Sequence, residues 1–295
     1  MCVVELYDLF KGILTALILF IYYGVKFFIP LELRRKKCLK NKVAVVTGSA
    51  KGIGKEICKV LAQEECFIAL WDIDERANEA CLTEIQDMAK EHLLEEARYK
   101  CYTVDVSSKA AVDETALRTL QFFGRVDILI NNAGTIVYPV TTVLHTGEND
   151  LRKTIETNLF SHFWTIQAFL PSMARYKEGH ILAMCSVAGV VGSSRVSAYS
   201  ASKFGVRSLM ESLDAELKNQ NLDFVKLTTV CPYYLKQGLF GGVVTRHQWL
   251  MPMLDRKYVA KKSILALRCC EPVLLMPRAA YVMLGFKGSK HRALR

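Results

Sequence analysis

The sequence predicts a doubly wound parallel α/β fold, and three observations lead to that prediction. From residue 42 onward, short apolar runs alternate with longer stretches of helical periodicity. Strands separated by helices form parallel sheets, and near-continuous apolar strands are typical of a sheet covered by helices on both faces. A chain of 295 residues with 51% apolar composition is long enough to bury such a core as one domain.

Seven strands are predicted, each a short run rich in apolar and β-branched residues. The second strand is followed by a clear helical pattern, because Cys81, Ile85 and Met88 recur at helical spacing while Glu84 and Asp87 lie on the opposite face. There is no internal repeat and no second domain. In chain order, the predicted strands are residues 43–47, 67–71, 101–104, 126–130, 180–185, 224–231 and 273–276.

An apolar segment precedes the domain. Residues 12–29 are interrupted only by Lys26 and are followed by Pro30 and a basic cluster. The start carries Glu5 and Asp8 and lacks the features of a cleaved signal peptide, so we expect a retained membrane anchor, with a buried core helix as the alternative. The positive-inside rule places the domain in the cytosol. The basic cluster is Arg34, Arg35, Lys36, Lys37, Lys40 and Lys42.

The net charge of +10 belongs to the two ends of the chain. Residues 1–42 carry eight Lys and Arg against three acids, residues 278–295 carry five against none, and residues 43–277 carry 26 of each. A neutral globular part argues against nucleic-acid binding, and basic ends beside an apolar segment favour contact with membrane lipids over merely solvated ends. The predicted units are an anchor with its basic flank (1–41), the domain (42–277) and a basic tail (278–295).

The ten cysteines are scattered along the chain without a CxxC pair, and no His pair has metal-ligand spacing. We therefore expect reduced cysteines that serve packing, in a domain that faces the cytosol. We expect no metal site.

A glycine-rich turn follows the first predicted strand and opens a helix. It reads Thr47-Gly48-Ser49-Ala50-Lys51-Gly52-Ile53-Gly54. Glycines at such a turn let the backbone approach a pyrophosphate at the positive helix N-terminus. The second strand ends 18 residues later at Asp72, whose carboxylate can accept from adenosine ribose hydroxyls. Together they predict a nucleotide site, whereas the glycines alone could form a mere tight turn.

Asp72 and Lys51 favour different dinucleotides. Asp72 would repel a 2′-phosphate and so favours NAD, while Lys51 is a cation that could meet that phosphate and so favours NADP. We expect NAD, because a carboxylate in the ribose site excludes the phosphate whereas a flexible surface lysine only attracts it.

Four motifs resemble the short-chain dehydrogenase/reductase family, which implies a Rossmann sheet over residues 42–277. They are the TGxxxGIG form of the glycine-rich turn, Asn131-Asn132-Ala133-Gly134 after the fourth strand, Ser186, and Tyr199-Ser200-Ala201-Ser202-Lys203. The anchor and residues 70–73, 163–171 and 228–232 resemble the membrane-bound branch that includes epidermal retinol dehydrogenase and lipid-droplet 17β-hydroxysteroid dehydrogenases. This likeness implies a retinoid, steroid or other lipid alcohol as substrate, at the endoplasmic reticulum membrane or a lipid droplet.

The resemblance implies a role for each matching side chain. Tyr199 would exchange the hydroxyl proton, Ser186 would hold the substrate oxygen, and Lys203 would tune Tyr199 and hold the nicotinamide ribose. Asn158 would position a water that links Lys203 to solvent. Taken singly, each has a plainer interpretation, namely a core aromatic, a turn serine, a solvated lysine and a polar helix residue.

Tyr199 and Lys203 are four residues apart on a predicted helix and share a face. An ammonium ~4 Å from the phenol would favour the phenolate by about 4 kcal/mol at an effective dielectric near 20. We therefore expect the pKa of Tyr199 to fall by about three units, to near neutrality, where acid–base catalysis is most effective.

Further cofactor contacts are expected around the glycine-rich turn. Asn131 and Gly134 would shape the fourth-strand turn against the cofactor, although Asn131 could equally be structural, and Asp105 would meet the adenine. The full predicted set is Gly48, Ser49, Lys51, Gly52, Ile53, Gly54, Asp72, Asp105, Asn131, Gly134, Tyr199, Lys203, Pro232 and Gln237.

Two departures from the family pattern stand near the C-terminus. Gln237 replaces a threonine that contacts the nicotinamide end, and the chain stops soon after Met276. Residues 233–253 are expected to form an apolar lid over the substrate, or else to pack on the membrane or on a second subunit, which would make a homodimer. Its apolar members are Leu235, Leu239, Phe240, Trp249, Leu250 and Met251.

The predicted function is an NAD-linked oxidation of a hydrophobic alcohol. An NADPH-linked reduction of the carbonyl is the alternative that Lys51 supports. A lipid-membrane scaffold without turnover is a third hypothesis, favoured by Gln237 and the short C-terminus. The complete set of Ser186, Tyr199, Lys203 and Asn158 argues against that scaffold.

Overall fold

The computed structural model describes Lys11 and residues 29–90, 98–138, 140–240 and 248–281. Within these residues seven parallel strands form one sheet in the order β3-β2-β1-β4-β5-β6-β7, which confirms the doubly wound fold and all seven predicted strands to within a few residues. The strands are β1 (Val43–Thr47), β2 (Phe67–Asp72), β3 (Tyr99–Thr103), β4 (Ile128–Asn131), β5 (Gly179–Met184), β6 (Val225–Pro232) and β7 (Val273–Met276).

Helices cover both faces of the sheet because successive strand residues point to opposite sides. In β1, Ala44 and Val46 join one buried cluster while Val43 and Val45 join the other. The first cluster lies under α1, α2 and α7, and the second under α3, α5 and α6. The helices are α1 (Gly52–Gln63), α2 (Glu75–Lys90), α3 (Lys109–Phe123), α4 (Glu148–Ile155), α5 (Ser161–Tyr176), α6 (Ser197–Asn219) and α7 (Arg256–Arg268).

The strand order places a crevice at the carboxyl edge of the sheet. β1 pairs with β2 on one side and with β4 on the other, so the chain winds away from β1 in both directions. Open parallel sheets bind ligands outside the carboxyl ends of the strands at such a switch point. The predicted motifs follow β1, β2, β4, β5 and β6, and they therefore meet at this edge.

The part of the basic flank that the structure describes packs against the domain. Leu39 is buried in the core, and Arg34 pairs with Glu271 just before β7. The half-buried Lys37 amine lies 2.9 Å from Nδ1 of His180 in β5. Since an ammonium can only donate, His180 accepts at Nδ1. Several charges of the predicted lipid-facing cluster are thus directed at protein groups.

The predicted membrane anchor falls almost entirely outside the described residues. Among the described residues, no helix is both long and apolar enough to cross a bilayer. The predicted anchor over residues 12–29 lies outside those residues except for Ile29, and so does residue range 282–295 of the predicted basic tail.

Candidate active site

The glycine-rich turn brings the backbone ends of β1 and β4 into close contact. Gly48 has a φ of 65°, and a Cβ built on it would lie 2.9 Å from the Cα of Ala133. A Cβ on Gly54 would lie 1.9 Å from the carbonyl oxygen of Gly48. Any side chain at either position would push the turn off its neighbours, so the close approach requires both glycines.

Hydrogen bonds from Asn132 hold this turn to the end of β4. Its Nδ2 donates to the carbonyl oxygens of Thr47 and Gly48, at 3.0 Å each. The Thr47 Oγ1 in turn accepts from the backbone N–H groups of Asn132 and Ala133, both at 3.0 Å. The turn therefore has a fixed shape in the protein itself.

The side chains of Asn131 and Ser49 point away from the crevice at the carboxyl edge of the sheet. The Asn131 side chain points to α5, where its Oδ1 accepts from the Thr165 hydroxyl at 2.8 Å. The Ser49 hydroxyl is buried and donates to Oδ1 of Asn78 at 2.8 Å. Neither residue lines the large cavity at the carboxyl edge of the sheet. The alternative structural interpretation of Asn131 is the one that fits, and Asn132 is the turn residue that the sequence analysis missed.

Asp72 ends β2 beside the turn and accepts two backbone hydrogen bonds. Its Oδ2 accepts from the N–H of Ala50 at 2.9 Å and its Oδ1 from the N–H of Asp74 at 3.0 Å. Asp105, after β3, accepts from the backbone and hydroxyl of Ser107. Both carboxylates lie at the same end of the crevice.

A cavity of about 1000 Å³ runs along this carboxyl edge. It joins the carboxylate end to the predicted catalytic residues on β5 and α6. Gly54 and Asn158, like Ser49 and Asn131, lie outside its wall. The predicted residues that line it are Gly48, Lys51, Gly52, Ile53, Asp72, Asp105, Gly134, Ser186, Tyr199, Lys203, Pro232 and Gln237.

Ser186, Tyr199 and Lys203 meet at the other end of the cavity. Ser186 begins a short 3-10 turn after β5, and its Oγ accepts from the N–H of Ala188 at 3.1 Å. Tyr199 and Lys203 lie one helical turn apart on α6, and both are buried. The Lys203 amine donates to the carbonyl oxygen of Met184 at 2.9 Å, which fixes it at the cavity wall.

The expected fall in the pKa of Tyr199 does not occur in this structure. Burial raises the pKa of the Tyr199 phenol, and a hydrogen bond with Ser186 offsets only part of that effect. The Lys203 amine lies 5.8 Å from the centroid of the Tyr199 ring, and burial lowers the pKa of Lys203 itself. The prediction was wrong because a shared helix face gave no information about the desolvation of both groups.

Asn158 lies in a π-helical turn, Glu156–Phe160, between α4 and α5. Its Oδ1 accepts from the N–H of Thr135 at 2.7 Å, and its Nδ2 donates to the Thr135 carbonyl at 2.9 Å and to Ser202 Oγ at 3.2 Å. Such turns are frequent at functional sites. The side chain ties the chain after β4 to α6, while its role in positioning a water remains a prediction.

The predicted lid divides into two parts. The Phe240 ring packs edge-on against Tyr199 at 5.2 Å and against Tyr234 at 5.3 Å, and these aromatics line the cavity together with Leu235 and Leu239. Trp249 is 83% exposed and, like the less exposed Leu250 and Met251, does not line the cavity. Residues 241–247 lie outside the described residues.

Arg256, at the start of α7, is a cavity residue that the sequence analysis missed. Its guanidinium donates to Oε1 of Gln237 at 2.6 Å. Because a guanidinium carries no acceptor, this contact leaves the Gln237 amide N–H groups for other partners. The sequence offers no local signal for the pair, since 18 residues separate the two side chains.

The residues present fit a nicotinamide dinucleotide. Gly48 and Gly54, which together we call the glycine cradle, leave no room for a Cβ. Helix α1 begins at Gly52 in the same turn, and Asp72 offers a carboxylate at the end of β2. Backbone N–H groups at a helix N-terminus are a ready site for a pyrophosphate. Lys203 at the far end would hold the nicotinamide half.

Comparison with known proteins agrees with this geometry. The pattern described as short chain dehydrogenase matches residues 42–246. Short-chain dehydrogenase/reductase family 16C member 6 of Bos taurus is 34% identical over 270 residues, covering 91% of this chain and 83% of that protein. Epidermal retinol dehydrogenase 2 of Homo sapiens is 32% identical over 276 residues, covering 91% and 87%.

A solved structure shows the same fold. The short-chain dehydrogenase/reductase of Burkholderia phymatum in complex with NAD superposes with a TM-score of 0.72 at 24% identity, covering 86% of this chain and 95% of that one. The chain belongs to the short-chain dehydrogenase/reductase family. It is an oxidoreductase that acts on CH–OH groups with NAD or NADP.

Proposed function

We propose that this protein is an NAD-linked dehydrogenase of a hydrophobic alcohol, retinol-like or steroid-like. The observation that carries the proposal is the junction of Ser186 and Tyr199 with an aromatic wall formed by Tyr234 and Phe240 in one cavity. An apolar wall beside a few convergent polar groups is typical of sites for lipophilic ligands. A relative named for retinol dehydrogenation supports the substrate class.

Each residue at this end of the cavity has a separate role in the proposed reaction. Ser186 holds the alcohol oxygen, and the Tyr199 phenol, hydrogen-bonded with Ser186, exchanges the hydroxyl proton. Lys203, whose amine lies 5.8 Å from the centroid of the Tyr199 ring, holds the ribose on the nicotinamide side. The bound dinucleotide supplies the hydride acceptor. Phe240 and Tyr234 exclude water from the Tyr199 ring.

The preference for NAD rests on Asp72. Its carboxylate lines the cavity where the β2 end meets the glycine-rich turn, and a 2′-phosphate there would meet a like charge. The NADPH-linked reduction remains the second candidate because Lys51 also lines that end. The complete catalytic set around the cavity disfavours the scaffold hypothesis.

A turnover screen tests the proposal. The detergent-solubilised full chain would be given retinoids, steroids and long-chain alcohols with NAD or NADP, and the matching carbonyls with the reduced cofactors. We expect turnover of at least one hydrophobic alcohol with a higher kcat/KM for NAD, and a kcat at least about 100-fold lower with Tyr199→Phe. A higher kcat/KM for NADP would contradict the cofactor assignment, and no turnover of any substrate would favour the scaffold.

We also propose that the chain is held at the endoplasmic reticulum membrane or a lipid droplet with the domain facing the cytosol. The apolar residues 12–29 followed by a basic flank support this placement. Membrane lipids and the lipophilic substrate would then be its partners. The exposed Trp249 and Leu250 are open to a membrane or to a second subunit in a homodimer.

A further inference from the structure

We propose that Asp74 is a second cofactor-specificity residue, which acts by engaging Lys51 and so withholding it from a 2′-phosphate. The proposal rests on the NAD-linked function above and deepens it. Lys51 is the cation of the glycine-rich turn that supports the NADP alternative. Asp74 decides whether that cation is available.

The contact between the two side chains is direct. The Lys51 amine lies 2.5 Å from Oδ2 of Asp74, and both residues line the cavity at the end that holds Asp72. The hydrogen bond with Asp74 raises the pKa of Lys51, and the same bond lowers the pKa of Asp74. Each charge therefore stabilises the other at the rim of the ribose site.

Asp74 is held in place by two backbone contacts of its own. Its N–H donates to Oδ1 of Asp72 at 3.0 Å, and its Oδ1 accepts from the N–H of Ala77 at 3.0 Å in the first turn of α2. One carboxylate oxygen thus caps the helix while the other receives Lys51. Because the carboxylate is fixed by the helix while the Lys51 side chain is 72% exposed, Lys51 is the partner that would have to move for the pair to separate.

The consequence for the dinucleotides follows from charge. A phosphate monoester carries about −1.5 to −2 charges near neutral pH, so NADP would have to draw Lys51 away from Asp74 and sit beside two carboxylates. A 2′-hydroxyl carries no charge and needs only an acceptor, which Asp72 supplies. The Lys51–Asp74 pair therefore opposes NADP and is nearly neutral toward NAD.

Asp74 also caps α2, so its charge must be separated from its capping role. Asp74→Asn keeps an oxygen for the Ala77 N–H, since Asn is as good an N-cap as Asp, and removes the charge. Asp74→Ala removes both and measures the cost of the lost cap by thermal unfolding. Lys51→Met removes the cation while keeping an unbranched side chain, and combining it with Asp74→Asn closes a double-mutant cycle.

Dissociation constants of NADH and NADPH, measured by nicotinamide fluorescence on the full chain in detergent, test the proposal without turnover. We expect Asp74→Asn to bind NADPH about fivefold more tightly, in line with the loss of one exposed ion pair, and NADH within about twofold. Most of the gain should be lost when Lys51→Met is added, since only the relief of direct repulsion between Asp74 and the phosphate then remains. An unchanged NADPH constant, or a gain that keeps its full size with Lys51→Met, would overturn the role of Asp74.

The same measurement separates this inference from the function on which it rests. If the native chain binds NADPH more tightly than NADH, the NAD assignment fails, while a further gain in Asp74→Asn would still support the action of Asp74 through Lys51. A native chain that binds neither dinucleotide overturns both.

Discussion

Gly54→Ala tests whether the glycine cradle is as tight as its geometry indicates. An added Cβ would lie 1.9 Å from the Gly48 carbonyl oxygen and 2.6 Å from Nδ2 of Asn132. Ordinary contact begins near 3.4 Å, so the turn and α1 must separate by about 1.5 Å. The Asn132 bonds to the turn would stretch beyond hydrogen-bond length, because they measure 3.0 Å at present.

The expected cost follows from that displacement. Overpacking against fixed backbone costs about 1–3 kcal/mol of unfolding free energy. The displaced turn should also lose NADH affinity by at least about tenfold, since the pyrophosphate would sit against N–H groups that have moved. Chemical unfolding and nicotinamide fluorescence measure the two effects on the same sample.

Two other glycines separate steric clash from backbone strain. Gly52 and Gly124 have φ values of 62° and 77°, and a Cβ on either would meet nothing within 4 Å. Gly124 caps the C-terminal end of α3, away from the cavity. Gly124→Ala should therefore lower the free energy of unfolding by about 1 kcal/mol without changing NADH binding. If Gly54→Ala bound NADH like the native chain with no larger loss of stability than Gly124→Ala, the close packing of the cradle would be refuted.

Four further outcomes are expected. Tyr199→Phe should keep NADH binding and lose at least about 100-fold in kcat, and near-normal turnover would rule out its role in proton transfer. Because burial raises the pKa of Tyr199, the kcat/KM of alcohol oxidation should rise with pH to about 10 or above, whereas a plateau below about pH 8 would contradict a buried phenol. Burial lowers the pKa of His162 to about 3, so the unfolded state takes up a proton first as the pH falls. The free energy of unfolding should then drop by up to about 1.4 kcal/mol per pH unit below about pH 6.5. His162→Gln should remove that pH dependence, as measured by urea unfolding at several pH values. The full chain should stay with membranes after alkaline carbonate washing while a chain starting at Pro30 leaves them, and protease should digest the domain on sealed vesicles. Protection of the domain until detergent is added would show the opposite orientation.

The fold could be predicted from the sequence because its signal is repeated along the chain. The central strands are apolar on both faces, as in β1, where Val43 to Thr47 are all buried. A parallel sheet covered by helices repeats that pattern along the chain, so an error at one strand end does not change the topology. Fixed motifs also allowed the sequence to predict that Ser186, Tyr199 and Lys203 lie together, and all three line one cavity.

The side-chain directions could not be read from the same motifs. Asn131 and Asn132 are consecutive at a strand end, and strand geometry sends them to opposite sides. The sequence does not say which one faces the glycine-rich turn, and the structure chooses Asn132. The Arg256–Gln237 contact depends on the pairing of Leu235 with Leu254, which joins two segments that no local pattern connects.

The basic flank and the candidate active site lie at opposite ends of the strand β5. Lys37 contacts His180 near the start of β5, and Ser186 follows two residues after its end at Met184. The six residue steps from His180 to Ser186, at ~3.3 Å each, correspond to about 20 Å of extended chain. Neither the Lys37–His180 contact nor the Arg34–Glu271 pair therefore reaches Ser186 directly. In the proposed function, substrate choice depends instead on the cavity end formed by Tyr234, Phe240 and their neighbours, and none of the described flank residues lines that cavity.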